Sequence, residues 1–556
     1  MEEQQLSPLR FGIMVDDLSL EAWKVETVRK LVDGGMHLAF IIRNADPVEP
    51  KHLSQRLRNL LGRRSFFQVW NHYLFKPVSK RMVDLPSAMK QWGLDYETIS
   101  VLDCKPHQIG ASTFILDDDI ETIKNQQLDF ILRFGFNIIR GEILNAAKYG
   151  IWSFHHDDEM AYRGGPPGFW EWMDDNPCNG IILQRLTELL DKGYILNKRW
   201  YPTILHSYKA HLDQLLMEGT DMPLQVCREI QFTGVMKERL SESKAKINHP
   251  PVNFKMLLYW FLCLSRRCRF HRHDLFRQED WNVGYVEVPL DDFLSSPQSH
   301  LRNIKWFEKK CRSAYFADPF VISTEKDTYI FFESYSYKLG KGRIEMVRRS
   351  NNYEKPQVVL EEPFHLSYPF VFEHDGCVYC LPECHQSNGI RLYRFDEKES
   401  KMELECILLE HIQAIDPTLV YQEGQWNLFF TQKDQPSVKL YRYVAHDLKG
   451  PYQPCLANPI KVDCADARMA GAFIRWKDQL FRPAQECVRY YGTAVGLNRV
   501  DVFNSNSYEE SLAERIEPFV QSKFGKGLHT LNGNDQVTVI DGKRWLFTFV
   551  GMSHQI

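Results

Sequence analysis

A short apolar unit recurs through the C-terminal half of the chain, and this repeat constrains the fold more than any other feature of the sequence. The copies start at a turn-forming residue, in three cases followed by proline, and occupy residues 318–322, 368–372, 416–420, 471–475 and, as the last copy, 534–538. They recur about every 50 residues, and a polar turn and a second apolar strand follow them, which is typical of β-propeller blades. Four or five copies predict an all-β five-bladed propeller over residues 306–556.

The N-terminal part of the chain has a different pattern. An apolar run at residues 10–16 is followed by a helical pattern at 20–31 and a second apolar run at 37–42, which predicts a β-α-β unit and an open, mostly parallel α/β sheet. A G-x-G-x-x-G motif does not follow the first run, so a dinucleotide site is not expected there. We therefore predict a multidomain protein with an α/β domain at 1–205, a helical or irregular connecting region at 206–305 and the propeller.

Charge and cysteine content narrow the classes of function. A net charge of −4 argues against bulk nucleic-acid binding, which requires a basic face to displace the counterions of phosphates. The chain has an odd number of cysteines, 13, without disulfide-like spacing, and it starts with a polar, acidic segment rather than a secretory signal. We expect a cytoplasmic protein without nucleic-acid partners.

The longest apolar run, residues 256–264, precedes Arg266, Arg267 and Arg269. It is shorter than the ~18 residues that a membrane-spanning helix requires. Two explanations remain open for residues 256–272. They form either a helix packed inside the protein or a peripheral contact with an anionic membrane surface.

Ser153 and His155 lie two residues apart at the end of an apolar run, so on a strand they share one face. Ligands of open α/β sheets bind at such strand ends. A hydroxyl and an imidazole in one cavity suit general-base catalysis on an acyl group. The following His156 and residues 157–159 are either a cation site or, as we favour, a loop of solvated charges, so no metal is predicted.

This order of residues resembles the N10-formyltetrahydrofolate-dependent formyltransferases, such as the methionyl-tRNA and sugar N-formyltransferases, whose core has Asn-x-His, Arg-Gly and Leu-Asp-x-Gly. The resemblance places the family histidine at His155, the aspartate at Asp191 and, in place of the asparagine, Ser153. It implies that His155 accepts a proton from an amine, that Asp191 orients His155 and that Ser153 donates to the oxyanion. It also implies N10-formyltetrahydrofolate as formyl donor, held near Phe134, Gly135, Phe136, Arg163 and Gly164.

The C-terminal half resembles the propellers of furanosidase-like glycoside hydrolases and of glucosamine inositolphosphorylceramide transferases. Asp318, Glu383 and Asp416 would then converge at the centre of the propeller as acid and base groups for glycoside chemistry. Their Asp-Pro context also has a structural explanation, because aspartate caps turns and proline fixes φ. Arg468, Arg482 and His529 are further candidates that suit an anionic ligand.

Two functions follow from these resemblances. The first is an N-formyltransferase that moves a formyl group from N10-formyltetrahydrofolate to an amine, expected on an amino sugar or a sugar-containing conjugate that the propeller recognises. The alternative is a propeller glycoside hydrolase, a glycosyl-transferring enzyme or a glycan-binding protein with an inactive formyltransferase-like domain. A third hypothesis is a non-catalytic protein that binds a membrane through residues 256–272.

Overall fold

The computed structural model describes residues 7–45, 62–110, 112–188, 193–309, 313–504 and 507–547. The chain divides into two compact units, 1–270 (the first unit) and 271–556 (the five-sheet unit). The three-segment division predicted from the sequence remains a prediction.

The first unit combines short strands and helices. Its strands are β1 (Arg10–Val15), β2 (Ser19–Glu21), β3 (His37–Asn44), β4 (Met82–Asp84), β5 (Ser100–Cys104), β6 (His107–Ile109), β7 (Ser112–Phe114), β8 (Phe130–Arg133), β9 (Ile138–Arg140), β10 (Ile151–His155), β11 (Arg163–Gly164), β12 (Cys178–Arg185), β13 (Tyr194–Pro202), β14 (Arg239–Leu240) and β15 (Ile247–Asn248). Its helices are α1 (Ala22–Asp33), α2 (Ser65–Val69), α3 (Leu85–Gln91), α4 (Asp117–Lys124), α5 (Phe169–Met173), α6 (Tyr208–Glu218), α7 (Met222–Thr233) and α8 (Asn253–Phe276), the last of which continues into the second unit.

An eight-stranded sheet with the order β14-β13-β12-β10-β8-β1-β3-β5 forms the centre of the first unit. Strands β10, β8, β1, β3 and β5 are parallel, which confirms the predicted α/β architecture. Strands β12, β13 and β14 add an antiparallel edge that the repeat-free N-terminal sequence did not indicate. The observed β1, α1 and β3 lie within two residues of the predicted bounds. The parallel strands end at Arg133 of β8 and His155 of β10.

The regular secondary structure described in the five-sheet unit is mostly β-strand. Its strands are β16 (Arg277–Val286), β17 (Lys305–Trp306), β18 (Ala314–Ser323), β19 (Thr328–Ser336), β20 (Lys341–Arg348), β21 (Gln357–Leu360), β22 (Ser367–His374), β23 (Cys377–Glu383), β24 (Gly389–Asp396), β25 (Lys401–Glu410), β26 (Ala414–Gln422), β27 (Gln425–Gln432), β28 (Lys439–Ala445), β29 (Gln453–Pro454), β30 (Lys461–Val462), β31 (Ile474–Trp476), β32 (Gln479–Glu486), β33 (Ala494–Phe503), β34 (Tyr508–Ile516), β35 (Leu531–Gly533) and β36 (Thr538–Phe547). Two short helices, α9 (Leu290–Ser295) and α10 (Pro297–Leu301), lie between β16 and β17.

These strands form five antiparallel sheets. The first to fourth sheets follow the chain, as β18–β21, β22–β25, β26–β29 with β30 beside β28, and β31–β34. The fifth sheet has the order β17-β16-β36-β35, so it joins strands from the two ends of the unit. The pairing of β16 with β36 runs from Arg277↔Phe547 to Val286↔Thr538. Sequence analysis missed this pairing and left residues 277–286 in the connecting region.

Three of the repeat starts share one backbone conformation. Asp318, Tyr368 and Asp416 have φ of 52°, 43° and 49°, and the strand register shifts at each of them. Gly471 has φ of 147° at the corresponding point of the fourth copy. The fifth predicted copy was misplaced. The strand that corresponds to the repeat start in the fifth sheet is β35, at the edge of that sheet, and residues 534–537 form the turn after it.

Polar contacts link each sheet to the next and the fifth sheet to the first. They are Tyr368 N to Asp318 Oδ2 at 3.2 Å, Tyr368 Oη with Thr418 Oγ1 at 3.0 Å, Gln485 Nε2 to Asp416 Oδ2 at 2.8 Å, Ala472 N to Asn532 Oδ1 at 2.9 Å, and Thr530 Oγ1 to Asp318 Oδ1 at 2.9 Å. The starts of the sheets are therefore close together in space.

Candidate functional site

All five sheets contribute a buried polar side chain to one cluster, which we call the acidic centre. Its members are Asp318 of β18, Glu333 of β19, Glu383 of β23, Asp416 of β26, Arg468, Gln485 of β32, His529 and Asp541 of β36. The predicted trio Asp318, Glu383 and Asp416 belongs to this cluster. Arg468 links two of them, with Nε 2.6 Å from Asp416 Oδ2 and Nη2 4.0 Å from Glu383 Oε2.

His529 lies between two carboxylates. Its Nε2 is 3.1 Å from Asp318 Oδ1, and its Nδ1 is 2.7 Å from Asp541 Oδ2. Burial opposes protonation of this imidazole, but the charges of Asp541 and Asp318 outweigh burial and raise the pKa of His529 to about 10. The histidine is therefore an imidazolium at neutral pH and balances part of the negative charge around it.

Asp541 is fully buried and holds the backbone of this region. Its Oδ1 accepts hydrogen bonds from His529 N at 2.9 Å and Thr530 N at 3.1 Å, and its Oδ2 accepts one from Asp318 N at 3.1 Å. Asp318, His529 and Asp541 also have ligand atoms close enough to hold a metal ion. A metal ion bound there would have to break one of the two contacts that the imidazole makes with Asp318 and Asp541.

Glu383 is ionised. Burial opposes ionisation, but the hydrogen bond with His385 at 2.8 Å and the charge of Arg468 outweigh it and lower the pKa of Glu383 to about 2. The pKa of Asp318 is also lowered, because the charge of His529 and its hydrogen bond outweigh burial. Both groups can accept a proton at neutral pH.

Two further carboxyl groups of the cluster have raised pKa values. Burial raises the pKa of Glu333 well above its ordinary value, and the neighbouring Asp318 and Glu383 add to the rise. Burial raises the pKa of Asp416 to about 8, although the adjacent Arg468 guanidinium favours its ionised form. Titratable groups whose environments separate their pKa values are typical of acid and base pairs in active sites.

Sequence reasoning missed Glu333, Gln485 and Asp541. Each lies on the second strand of its sheet, where the sequence analysis selected only Glu383. Among the cationic candidates, His529 and Arg468 belong to the acidic centre. Arg482 instead pairs with Glu510, with Nη2 2.5 Å from Oε1.

In the first unit, the predicted pair Ser153 and His155 lies at a small cavity of about 130 Å³, whose lining includes Arg133, Arg140 and Gln184. Arg133 donates from Nε and Nη2 to Ser153 Oγ at 3.2 and 3.0 Å. The Ser153 hydroxyl therefore already accepts hydrogen bonds from a cation, and its predicted role as donor to an oxyanion remains a prediction.

The partner predicted for His155, Asp191, lies outside the described residues. The carboxylate near His155 in the structure is Asp157, whose Oδ2 is 3.8 Å from His155 Nε2. Residues 157–159 are not a loop of solvated charges, because Asp157 and Glu159 are buried. The Lys198 ammonium pairs with Glu159 at 2.7 Å and with the adjacent Asp158 at 2.9 Å, which explains how this acidic segment is accommodated.

The predicted donor-binding residues mostly pack the unit. Phe136 is buried in the core, and a Cβ on Gly135 would lie 2.6 Å from Asp16 Oδ1, so neither offers a side chain to a ligand. Phe134 packs edge-on against Trp23, with ring centroids 5.6 Å apart. Contact of these three positions with a folate stays a prediction.

Arg163 and Gly164 form β11 and pair with β15. Gly164 has φ of 92°, and a Cβ there would lie 2.1 Å from Asn248 O, so glycine is required by this close approach. Arg163 donates from Nη1 to Ala245 O at 3.3 Å. Both residues therefore fix the position of residues 245–248.

Much of the C-terminal half is similar to one class of known transferases. Residues 303–544 match the family model described as glucosamine inositolphosphorylceramide transferase 1, N-terminal. The glucosamine inositolphosphorylceramide transferase 1 of Oryza sativa subsp. japonica is 30% identical over 207 residues, which are 36% of this chain and 28% of that protein. The chain thus spans less than a third of the length of this relative.

A weaker similarity is to a formyltransferase. The methionyl-tRNA formyltransferase of Lysinibacillus sphaericus (strain C3-41) is 25% identical over 149 residues, which are 26% of this chain and 45% of that protein. Among solved structures, Zg3597, a family 117 glycoside hydrolase from the marine bacterium Zobellia galactanivorans, aligns with a TM-score of 0.32 and 11% identity over 49% of this chain and 91% of that chain.

Both resemblances seen in the sequence are therefore found, but the predicted enzyme class was wrong. The matches that reach 30% identity are to transferases named for glucosamine and inositolphosphorylceramide, and only weaker matches are to formyltransferases. The sequence analysis gave the motif around His155 more weight than the repeats of the C-terminal half. The folate donor remains a prediction.

Proposed function

We propose that the protein is a transferase that acts on a sugar-containing conjugate, and that its five sheets are the blades of a propeller with the sugar bound at the acidic centre. The observation that carries this proposal is the convergence of ionised and neutral carboxyl groups from different sheets on one buried cluster. The similarity of residues 303–544 to glucosamine inositolphosphorylceramide transferases supports the substrate class.

Transfer of a sugar uses a group that accepts a proton from the incoming hydroxyl, and a glycoside donor also needs a group that donates a proton to the leaving oxygen. Glu383 carries no proton at neutral pH, because its pKa is lowered to about 2, so it is the group that is free to accept one. Glu333 is suited to donate one, because its pKa is raised. Arg468, between Asp416 and Glu383, is suited to hold a hydroxyl or phosphate oxygen of the conjugate.

The test uses a nucleotide-linked glucosamine as donor and inositolphosphorylceramide as acceptor, with the product measured by mass spectrometry. We expect transfer by the wild type and a loss of at least about 100-fold in the Glu383→Gln variant, since positioned acid–base groups typically contribute that much. Glu403→Gln is the matched control, because Glu403 is exposed on β25 of the same sheet. Melting temperatures establish that both variants are folded.

Two results would contradict the proposal. Equal rates for Glu383→Gln and the wild type would remove the acidic centre from the reaction. Binding of the conjugate without any transferred product, in the wild type as well, would make the five-sheet unit a glycan-binding module instead of part of a transferase.

A further inference from the structure

We propose that an exposed apolar face of the first unit, formed by α2 and α8, docks on an anionic lipid bilayer. This α2–α8 face consists of Phe66, Val69, Phe254, Leu257, Phe261 and Leu264, all of which are exposed. The proposal concerns the first unit and does not depend on the function proposed for the five-sheet unit.

Helix α8 has a distinctly two-sided burial pattern. Met256 and Tyr259 are buried on one side, whereas Phe254, Phe261 and Leu264 on the other side are 73%, 66% and 66% exposed. The exposed positions recur at steps of three and four residues, so they form a stripe along the helix. Large apolar side chains exposed in a contiguous group mark an interaction surface.

Helix α2 widens this stripe. The Phe66 ring lies 5.7 Å from the Trp260 ring, and Phe66 N donates to Asn253 Oδ1 at 3.1 Å. Below them, Trp70 packs edge-on against the buried Tyr259 at 5.1 Å. The two helices are therefore packed side by side, and their exposed apolar side chains belong to one surface.

The two segments that form this face carry charges of one sign. Residues 62–83 and 252–270 contain no aspartate or glutamate, although the whole chain has a net charge of −4. The exposed basic side chains of these segments are Arg63, Arg64, Lys76, Arg81, Lys255, Arg267 and Arg269. Basic side chains that surround an apolar face attract anionic lipid headgroups, while the apolar side chains enter the acyl boundary.

One carboxylate next to α8 belongs to Asp175. Its Oδ1 is 3.2 Å from Nη2 of the buried Arg266 and 3.8 Å from Nη2 of the exposed Arg269. Arg266 is about 140° around the helix from Phe261, so Asp175 lies away from the apolar stripe, although it pairs with one of the basic side chains beside it.

The charge pattern also favours a lipid surface over a second copy of the chain. A two-fold contact through this face would bring the same basic side chains from both copies together. Like charges in such a contact oppose association, whereas an anionic bilayer neutralises them. Among the described residues, no helix is long and apolar enough to cross a membrane, so the proposed contact is peripheral.

Vesicle flotation of the full chain tests the proposal, with phosphatidylcholine vesicles compared with vesicles that also contain phosphatidylserine. We expect flotation with the anionic vesicles and a loss at high salt. The triple variant Phe254→Ser/Phe261→Ser/Leu264→Ser should bind at least about tenfold less, since each buried side chain contributes more than the free energy of a tenfold change. Arg267→Gln/Arg269→Gln should reduce the preference for phosphatidylserine.

The matched control is Leu339→Ser/Leu512→Ser/Val520→Ser, which changes three residues of similar exposure in the five-sheet unit. It should float like the wild type. Absence of flotation at low salt, or equal flotation of the first triple variant and the wild type, would overturn the proposal. A wild-type dimer that becomes monomeric in the first triple variant, without flotation of either, would assign the face to a second copy.

Discussion

Two buried histidines, one in each unit, have opposite charge states. His156 in the first unit packs against the rings of Trp23 and Phe154, and burial, with smaller effects of nearby cations, lowers its pKa to about 3. His529 in the five-sheet unit is even less exposed, yet its pKa is raised to about 10. Burial disfavours the charged form in both cases. The difference teaches that the partners of a buried histidine, not its burial, decide its charge.

The largest effect that distinguishes these sites should come from removing each imidazole. His529→Met leaves Asp318 and Asp541 buried without the cation between them, which should cost about 3–5 kcal/mol of folding free energy. His156 Nε2 has no hydrogen-bond partner among the described residues, so His156→Met should cost less than about 1.5 kcal/mol. Urea unfolding, monitored by hydrogen exchange of peptides from each unit, measures the two losses of folding free energy separately.

One exposed substitution serves as a control in the same experiment. Asp375→Asn, at a side chain that is 88% exposed, should change neither transition. Similar losses for the two histidine variants would contradict the comparison, because they would show that burial alone sets the contribution of each site.

The pH dependence of stability should also differ in sign. Folded His529 holds a proton up to about pH 10, whereas the unfolded histidine releases it near 6.5, so its stabilisation is complete below 6.5 and is lost as pH rises. The loss should be about 2 kcal/mol between about pH 7.5 and about pH 9. His156 and His211, with pKa values of about 3, should instead lose stability as pH falls from 6.5.

Calorimetry of the two unfolding transitions at several pH values measures these slopes. Because the pKa of Asp416 is about 8, ionisation of Asp416 also lowers the stability of the five-sheet unit as pH rises, but at lower pH than deprotonation of His529 does. The difference between the wild type and the His529→Met variant therefore isolates the contribution of the histidine. An alkaline slope of the five-sheet transition that is unchanged in the variant would refute the assignment of an imidazolium.

Local patterns of the sequence were sufficient for the elements of the fold. Strands β1 and β3, helix α1 and four repeat starts follow from apolar periodicity and turn residues over short windows. The pairing of β16 with β36 joins residues about 260 positions apart and has no local signature. Its absence from the prediction explains why residues 277–286 were assigned to a connecting region.

Local sequence patterns also predicted part of the candidate sites, but not the residues whose partners lie on distant strands. Alternation along β10 placed Ser153 and His155 on one side, and the repeat starts placed Asp318 and Asp416 in one cluster. Arg133 and Asp541 were missed, because their importance depends on partners from distant strands. In sequence, an arginine at a strand end or an aspartate in a late strand is indistinguishable from a surface charge.

The smallest predicted difference is between two hydroxyl groups, each of which is hydrogen-bonded to a charged group. Thr530 is fully buried and donates to Asp318 Oδ1, so Thr530→Val should cost about 1.5–3 kcal/mol, the range for a buried hydrogen bond to a charge. Ser153→Ala should cost only about 0.5–1 kcal/mol, because water in the adjoining cavity can replace the hydroxyl at the Arg133 guanidinium. Urea unfolding of each unit measures both. A larger loss for Ser153→Ala than for Thr530→Val would mean that Arg133 depends on this serine for its position, and would make the first-unit cavity as rigidly built as the acidic centre.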